Sequence, residues 1–245
     1  MVALFDPQAY SPPRTMLYMV TARFLFAPLF ILCHRLSVIG RENVPKGSFV
    51  AVSNHLSNSD PPLLTVATDR PIAFLAKKEL YDVPVLKDLI LTYGAISVDR
   101  SSPELSTFKA VKHMFRAGWS LGMFIEGTRN KTPGVLGQPH QGPAYFARSN
   151  RVPLLPIGIT GTDRPWAKVV VRIGRPIEPS KDLDETTWKI MESLSQLTGS
   201  ALPPKESLAC LESHPGEEME SPSSSSACLE SAPGEQMESP AKNSW

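Results

Sequence analysis

Residues 48–60 read SFVAVSNHLSNSD. Phe49 to Ser53 is a short apolar, partly β-branched run suited to a buried strand, and six of the seven residues after it are polar. Pro61 and Pro62 follow, and prolines at that point open helices rather than extend strands. The stretch therefore predicts a strand, a chemically dense loop and a helix start. A buried strand that feeds a helix is the unit of an α/β fold.

The same alternation continues outward. Apolar runs at 49–53, 72–76, 95–98, 122–126, 154–159 and 168–174 predict six strands, and helical patterns occupy 62–69, 84–92, 103–117, 142–149 and 182–197. The third of these is the sharpest, with Ser102 as N-cap, Pro103 at the first helical position, Phe108, Val111 and Phe115 on one face, and Gly118 as the stop. The expected fold is a single α/β domain, helix–sheet–helix in layers around a mostly buried sheet, spanning 36–202. A chain of 245 residues that is 42% hydrophobic can bury such a core.

Two segments flank the domain. Residues 16–33, MLYMVTARFLFAPLFILC, are apolar but hold Arg23 and Pro28. A bilayer span needs about 20 residues, and an arginine at its centre costs about 2.5–3.5 kcal/mol on insertion scales. Residues 1–35 are thus expected to be a helical segment lying in one leaflet; an ordinary buried helix is the competing reading. At the other end, ACLESHPGEEMESP from Ala209 returns as ACLESAPGEQMESP from Ala227. The repeat is polar, acidic and too short for a core of its own, so 203–245 is expected to be a disordered tail.

Charge and cysteine content narrow the function classes. The net charge is +1, but residues 205–245 carry eight Glu against two Lys, which leaves about +7 on residues 1–204. A basic body suits phosphate-bearing partners, yet no nucleic-acid motif is present and none is expected as a partner. Cys33, Cys210 and Cys228 form no close pair, and His34, His113, His140 and His214 lack ligand spacing. A reducing compartment and no metal are expected.

In an α/β sheet, reactive groups gather on loops that leave strand ends. His55 stands just past the first strand, and Asp60 lies where the chain can fold back to accept from His55 Nδ1–H, leaving Nε2 to take a proton. The alternative makes Asp60 a plain helix cap and His55 a loop residue. No G-x-S-x-G elbow supplies a nucleophile, so the hydroxyl to be activated belongs to a substrate. A second loop ends in Arg100. A third, FIEGTRNKTPG, carries Glu126, Gly127, Thr128 and Arg129, where glycine allows close backbone approach and arginine offers a planar fork to phosphate oxygens. Singly, each arginine could be a surface residue and Glu126 its partner. The fourth, RVPLLPIGITGT, is stiffened by Pro153 and Pro156.

Taken in order, NHLSNSD, GAISVDR, FIEGTR and VPLLPIG resemble the four sequence blocks of the glycerolipid acyltransferases, which acylate glycerol 3-phosphate or lysophosphatidic acid. The resemblance implies His55 and Asp60 as a catalytic dyad, Arg100 and Arg129 as ligands of the acceptor's phosphate, and Glu126, Gly127 and Thr128 as substrate-binding, with Lys77 of FLAKKEL as a further phosphate candidate. It also implies a lysophospholipid acceptor, acyl-CoA or acyl-carrier protein as co-substrate donor, no cofactor, and a peripheral or monotopic place on the cytoplasmic face of a membrane. The expected reaction forms phosphatidic acid from 1-acylglycerol 3-phosphate. Glycerol 3-phosphate, another lysophospholipid, or a non-catalytic lipid-binding role are the alternatives. The oxyanion donor is expected among backbone N–H groups of the His55 loop. Ile125 stands where the family usually has proline, Asn130 where serine is common, and Gln141 where lysine is frequent.

Overall fold

The computed structural model describes residues 10–77, 94–98, 105–130, 132 and 134–204. At its centre is β2 (Val50–Ser53), all four of whose residues are buried. Seven strands form one sheet among the described residues: β1 (Ser37–Ile39), β2, β3 (Ile72–Lys77), β4 (Ile96–Val98), β5 (Ser120–Phe124), β6 (Leu154–Thr160) and β7 (Val170–Ile173). Their order is β1-β7-β6-β2-β5-β3-β4, and every neighbouring pair is parallel except β6 with β7. Among the described residues five α-helices accompany them: α1 (Pro12–His34), α2 (Asp60–Thr68), α3 (Leu105–Arg116), α4 (Gly142–Asn150) and α5 (Leu183–Thr198).

Period-two alternation sends successive strand residues to opposite layers. Val50, Val52, Leu121 and Leu154 face Val111, Met114, Phe146, Ala147, Ile190 and Leu194 of α3, α4 and α5. Phe49, Ala51, Leu155 and Ile157 face Leu63, Leu64 and Ala67 of α2 and Phe30 of α1. This is the expected helix–sheet–helix layering. β1 is the strand that periodicity did not predict, because three residues at a half-exposed edge carry too little pattern. Pro156 sits inside β6 without damage, since the β6/β7 ladder ends at Ile157↔Ile173 and Gly174 N–H needs only the Pro156 carbonyl (2.9 Å).

The predicted helix at 84–92 and the cap at Ser102–Pro103 lie outside the described residues, as does the acidic repeat. The last helix starts as its sequence suggests: Asp182 caps it through Oδ1, accepting from the N–H groups of Asp184 (2.8 Å) and Glu185 (3.1 Å).

α1 is 23 residues long, longer than the apolar run, because Pro12 and Pro13 open it a turn earlier. A wider π turn interrupts it at Ala22–Phe26. Tyr18, Ala22 and Phe30 are buried along one stripe with Phe26 partly so, whereas Met16, Leu17, Phe24, Leu25, Ile31 and Leu32 are exposed. Tyr18 also donates to the Ile72 carbonyl (2.9 Å). The Arg23–Asp69 ion pair at 2.9 Å is solvent-exposed and contributes at most about 1 kcal/mol. Burying each aromatic is worth about 1.5–3 kcal/mol, so the apolar stripe holds α1 to the domain.

Candidate active site

The chain enters β2 in the middle of the sheet, leaves it for β3 beyond the slot later taken by β5, and returns much later to β6 on the other side. Connections diverge here in opposite directions, and in open α/β sheets such a point, at the carboxyl end of β2, is where ligand crevices form. The loop after Ser53 fills that position.

Asn54 opens the loop and is buried. Its side-chain amide replaces a peptide unit: Nδ2 donates to the Ile159 carbonyl (2.9 Å), and Oδ1 accepts from Ile159 N–H (2.8 Å). The end of β2 is thereby clamped to β6 one residue before His55. His55 Nδ1 lies 2.8 Å from Asp60 Oδ2. The same oxygen accepts from Leu56 N–H and Ser57 N–H at 2.7 Å each, and Oδ1 accepts from Thr162 Oγ1 at 2.7 Å. Asp60 has no exposed surface. An acceptor-only carboxylate fixes the histidine tautomer with its proton on Nδ1. Asp60 takes its backbone hydrogen bonds from residues before it, so it does not cap α2, and the helix-cap alternative has no geometric support.

The imidazole plane is set as well. His55 stacks on Phe124 with centroids 3.9 Å apart and planes at 11°, and Phe124 stacks on Phe74 at 5.7 Å and 17°. Gly122 makes this possible: it pairs with Phe74 across β3 and β5, and a Cβ there would collide with the Phe74 ring. The His55 side chain is 16% exposed. Among the described residues its only hydrogen-bonded ring nitrogen is Nδ1, which leaves Nε2 as the reactive edge.

The loop after β5 is tied to the first. Asn130 N–H donates to the His55 carbonyl (2.7 Å), and the Asn130 side chain bonds to Thr132 N–H (2.8 Å) and the Val135 carbonyl (2.6 Å). Gly127 turns at φ 65°, and a Cβ there would press within 2.9 Å of the His140 ring. Thr128 and Arg129 are exposed, two to three residues past the buried Glu126. Among the described residues Arg129 makes no ion pair. The departures from the usual pattern have structural work: Ile125 is buried and donates its N–H to the Ser53 carbonyl (3.0 Å), a bond proline could not make, and Gln141 donates to Asp184 of α5.

Glu126 lies inside the protein, 6% exposed, with Oε2 against Gly137 so closely that any Cβ there would come within 2.6 Å of it. Oε1 has no hydrogen-bond partner among the described residues. Burial pushes this carboxyl above its ordinary 4.5, opposed by the backbone N–H groups of Gly137 and His55, the His55 charge and the Asn130 amide. Because the folded state holds this proton more tightly, the group's contribution to stability is complete below 4.5 and is lost as pH rises through the raised value. Melting temperatures of Glu126→Gln and wild type, measured across pH, should therefore differ least in acid, with wild type losing ground as the pH rises; parallel curves would show that folding does not shift the Glu126 carboxyl.

Lys77 ends β3 at the same sheet edge, with its side chain outside the described residues, as is all of Arg100. The structure thus brings His55, Asp60, Glu126 and the Gly127–Arg129 loop together. Sequence reasoning missed Asn54, Thr162 and Phe124. Thr162 lies 102 residues from Asp60, and no local pattern marks it. Leu56 and Ser57 N–H, among the oxyanion donors expected from the sequence, are both committed to Asp60. Among the described residues no cluster of three His, Cys, Asp or Glu could hold a metal.

A buried Asp that accepts from His Nδ1 and leaves Nε2 without a partner among the described residues is the geometry that a general base requires. The chain belongs to the Acyltransferase family, whose sequence model matches residues 35–160. It is 31% identical over 141 residues to the 1-acyl-sn-glycerol-3-phosphate acyltransferase of Borreliella burgdorferi, covering 56% of each chain. A Pseudomonas aeruginosa protein of the same name is 31% identical over 66% of this chain and 65% of its own. The chain spans about half to two thirds of the length of such relatives. The crystal structure of PlsC, a 1-acyl-sn-glycerophosphate acyltransferase from Thermotoga maritima, superposes with a TM-score of 0.60 at 24% identity, covering 83% of this chain and 81% of that one, and so has the same fold.

Proposed function

We propose that the protein is a 1-acylglycerol-3-phosphate O-acyltransferase that forms phosphatidic acid. The observation that carries this reading is the His55–Asp60 pair, held by four hydrogen bonds to one buried carboxylate at the head of the family's first sequence block. His55 Nε2 removes the proton from the acceptor's free hydroxyl as that oxygen attacks the thioester carbonyl. Asp60 stabilises the imidazolium so formed. When the tetrahedral intermediate collapses, the C–S bond breaks and Nε2 returns the proton to the departing thiolate, leaving an ester and a free thiol. Purified protein given lysophosphatidic acid with acyl-CoA or acyl-carrier-protein thioester should form phosphatidic acid, read by lipid mass spectrometry; no product with either donor overturns the assignment. Glycerol 3-phosphate and other lysophospholipids in the same assay define the acceptor.

Arg129 is the acceptor-phosphate contact in this scheme, and the family resemblance adds Arg100 and Lys77 to it. Its place beside Asn130, which is strapped to His55, supports this. Losing charge-assisted hydrogen bonds worth about 1.5–3 kcal/mol, Arg129→Ala should raise the acceptor KM on the order of 10–100-fold, and Arg129→Lys should recover only part because the fork is lost. The donor KM should hardly change. A donor-side effect instead would assign Arg129 to the thioester.

The protein is also proposed to sit on the cytoplasmic face of a membrane as a monotopic enzyme. α1 is long and apolar enough to cross a bilayer, yet its Tyr18–Phe30 stripe is packed on the domain while the opposite apolar face is exposed. That arrangement suits a helix lying in the interface.

A further inference from the structure

The loop between β6 and β7, residues 161–169, is far longer than antiparallel neighbours require. Its base is closed and anchored: Gly161 (φ 90°) packs against the Lys168 carbonyl, where any Cβ would collide, and Thr162 holds Asp60. Its tip is a turn at Arg164-Pro165-Trp166-Ala167, with Ala167 N–H 3.4 Å from the Arg164 carbonyl. Proline at the second position and a positive φ at the third define a type II turn, whose third position favours glycine. Here that position holds Trp166, at φ 60° and 74% exposed. A bulky aromatic in the left-handed region is a conformational outlier, and this one turns its indole out to solvent, where it gains no burial.

Topology fixes where the tip projects. β6 runs parallel to β2, so the loop leaves the edge that carries His55 and Asp60. β7 starts at that edge, β1 runs parallel to β7, and Val169 N–H donates to the His34 carbonyl (2.8 Å) while Ser37 N–H donates to the Val169 carbonyl (3.0 Å). The end of α1, with exposed Ile31, Leu32 and Arg35, therefore lies beside the loop base. Around Trp166 stand Arg164, Lys168 and one acid, Asp163, whose carboxylate is 3.6 Å from Arg164 on an exposed surface.

We infer that the 161–169 loop is a second membrane contact, in which Trp166 enters the headgroup layer of an anionic bilayer and Arg164, Lys168 and Arg35 engage its phosphates. The indole, apolar in body and polar at its N–H, suits that depth, and the basic residues complement the anionic surface. Continuity with the exposed face of α1 gives two supports on the dyad's edge, which would hold the crevice mouth against the leaflet. This inference rests on the proposed membrane attachment of α1.

The test uses the full chain with vesicles of three parts phosphatidylcholine to one part phosphatidylglycerol. Acyl chains brominated just below the headgroup should quench indole emission in vesicle-bound wild type, and a component of that quenching should vanish in Trp166→Phe, which keeps an apolar ring. Trp166→Ala should weaken partitioning on the order of tenfold, and Arg164→Glu with Lys168→Glu by a similar factor on anionic vesicles only. Turnover of a short-chain, monomeric acceptor should be unchanged in Trp166→Ala. Vesicle binding with identical quenching in wild type and Trp166→Phe overturns the loop contact while leaving the α1 anchor standing. No sedimentation with vesicles overturns both, and a raised KM for the monomeric acceptor in Trp166→Ala would make the loop a substrate contact instead.

Discussion

His55→Ala should reduce turnover by about 10²–10⁴-fold, the range that a positioned general base supplies. Asp60 is no substitute, because it is fully buried behind the imidazole and its oxygens are engaged by Leu56, Ser57 and Thr162. The fold should persist. His55 contributes a ring stacked on Phe124 at the crevice surface, and its loss leaves Asp60 with three of its four donors. The measurement is kcat with lysophosphatidic acid alongside a thermal melt. Activity above a tenth of wild type, in a protein that melts normally, would remove His55 from the chemistry.

Asp60→Asn should cost about 10²–10⁴-fold in turnover and also lower stability. An asparagine oxygen can accept from the Leu56 and Ser57 N–H groups, but its NH₂ then faces Thr162; reversed, the NH₂ faces three donors at once. Either orientation leaves His55 without a carboxylate to hold the Nδ1 tautomer or to stabilise the imidazolium. The defect should appear in kcat, with the acceptor KM nearly constant, since Asp60 does not reach the crevice. Were the melt alone to change, Asp60 would be a structural residue of the loop and not part of a dyad.

Much of this arrangement is written locally in the chain. Buried runs such as FVAVS and LLPIGI have the length and β-branched character of central strands, and Pro12-Pro13, Pro61-Pro62 and Asp182 begin helices by steric and capping rules that act within a few residues. The five-residue separation of His55 and Asp60 can close within one loop, so their hydrogen bond was legible before any fold was known. The resemblance of the four blocks added their order, and with it the association of Arg129 with the same site. β1 and the turn at Ala22–Phe26 were not legible, one being too short for a period and the other depending on how α1 seats against α2.

What the sequence by itself determined is thus the alternation of strand and helix, the existence of polar loops at strand ends, and the candidates for base, orienter and phosphate ligand. The tertiary structure alone decided how those candidates are held. It put Thr162 on Asp60 across 102 residues, stacked His55 on Phe124 through the space that Gly122 leaves for Phe74, and drew Glu126 inside against Gly137. It also brought the Trp166 turn to the dyad's edge, because β6 lies parallel beside β2. The physical reason is that propensity, capping and loop closure are settled between near neighbours. Burial, stacking and the loading of a carboxylate depend on which strands become adjacent, and only the packing of the whole sheet settles that.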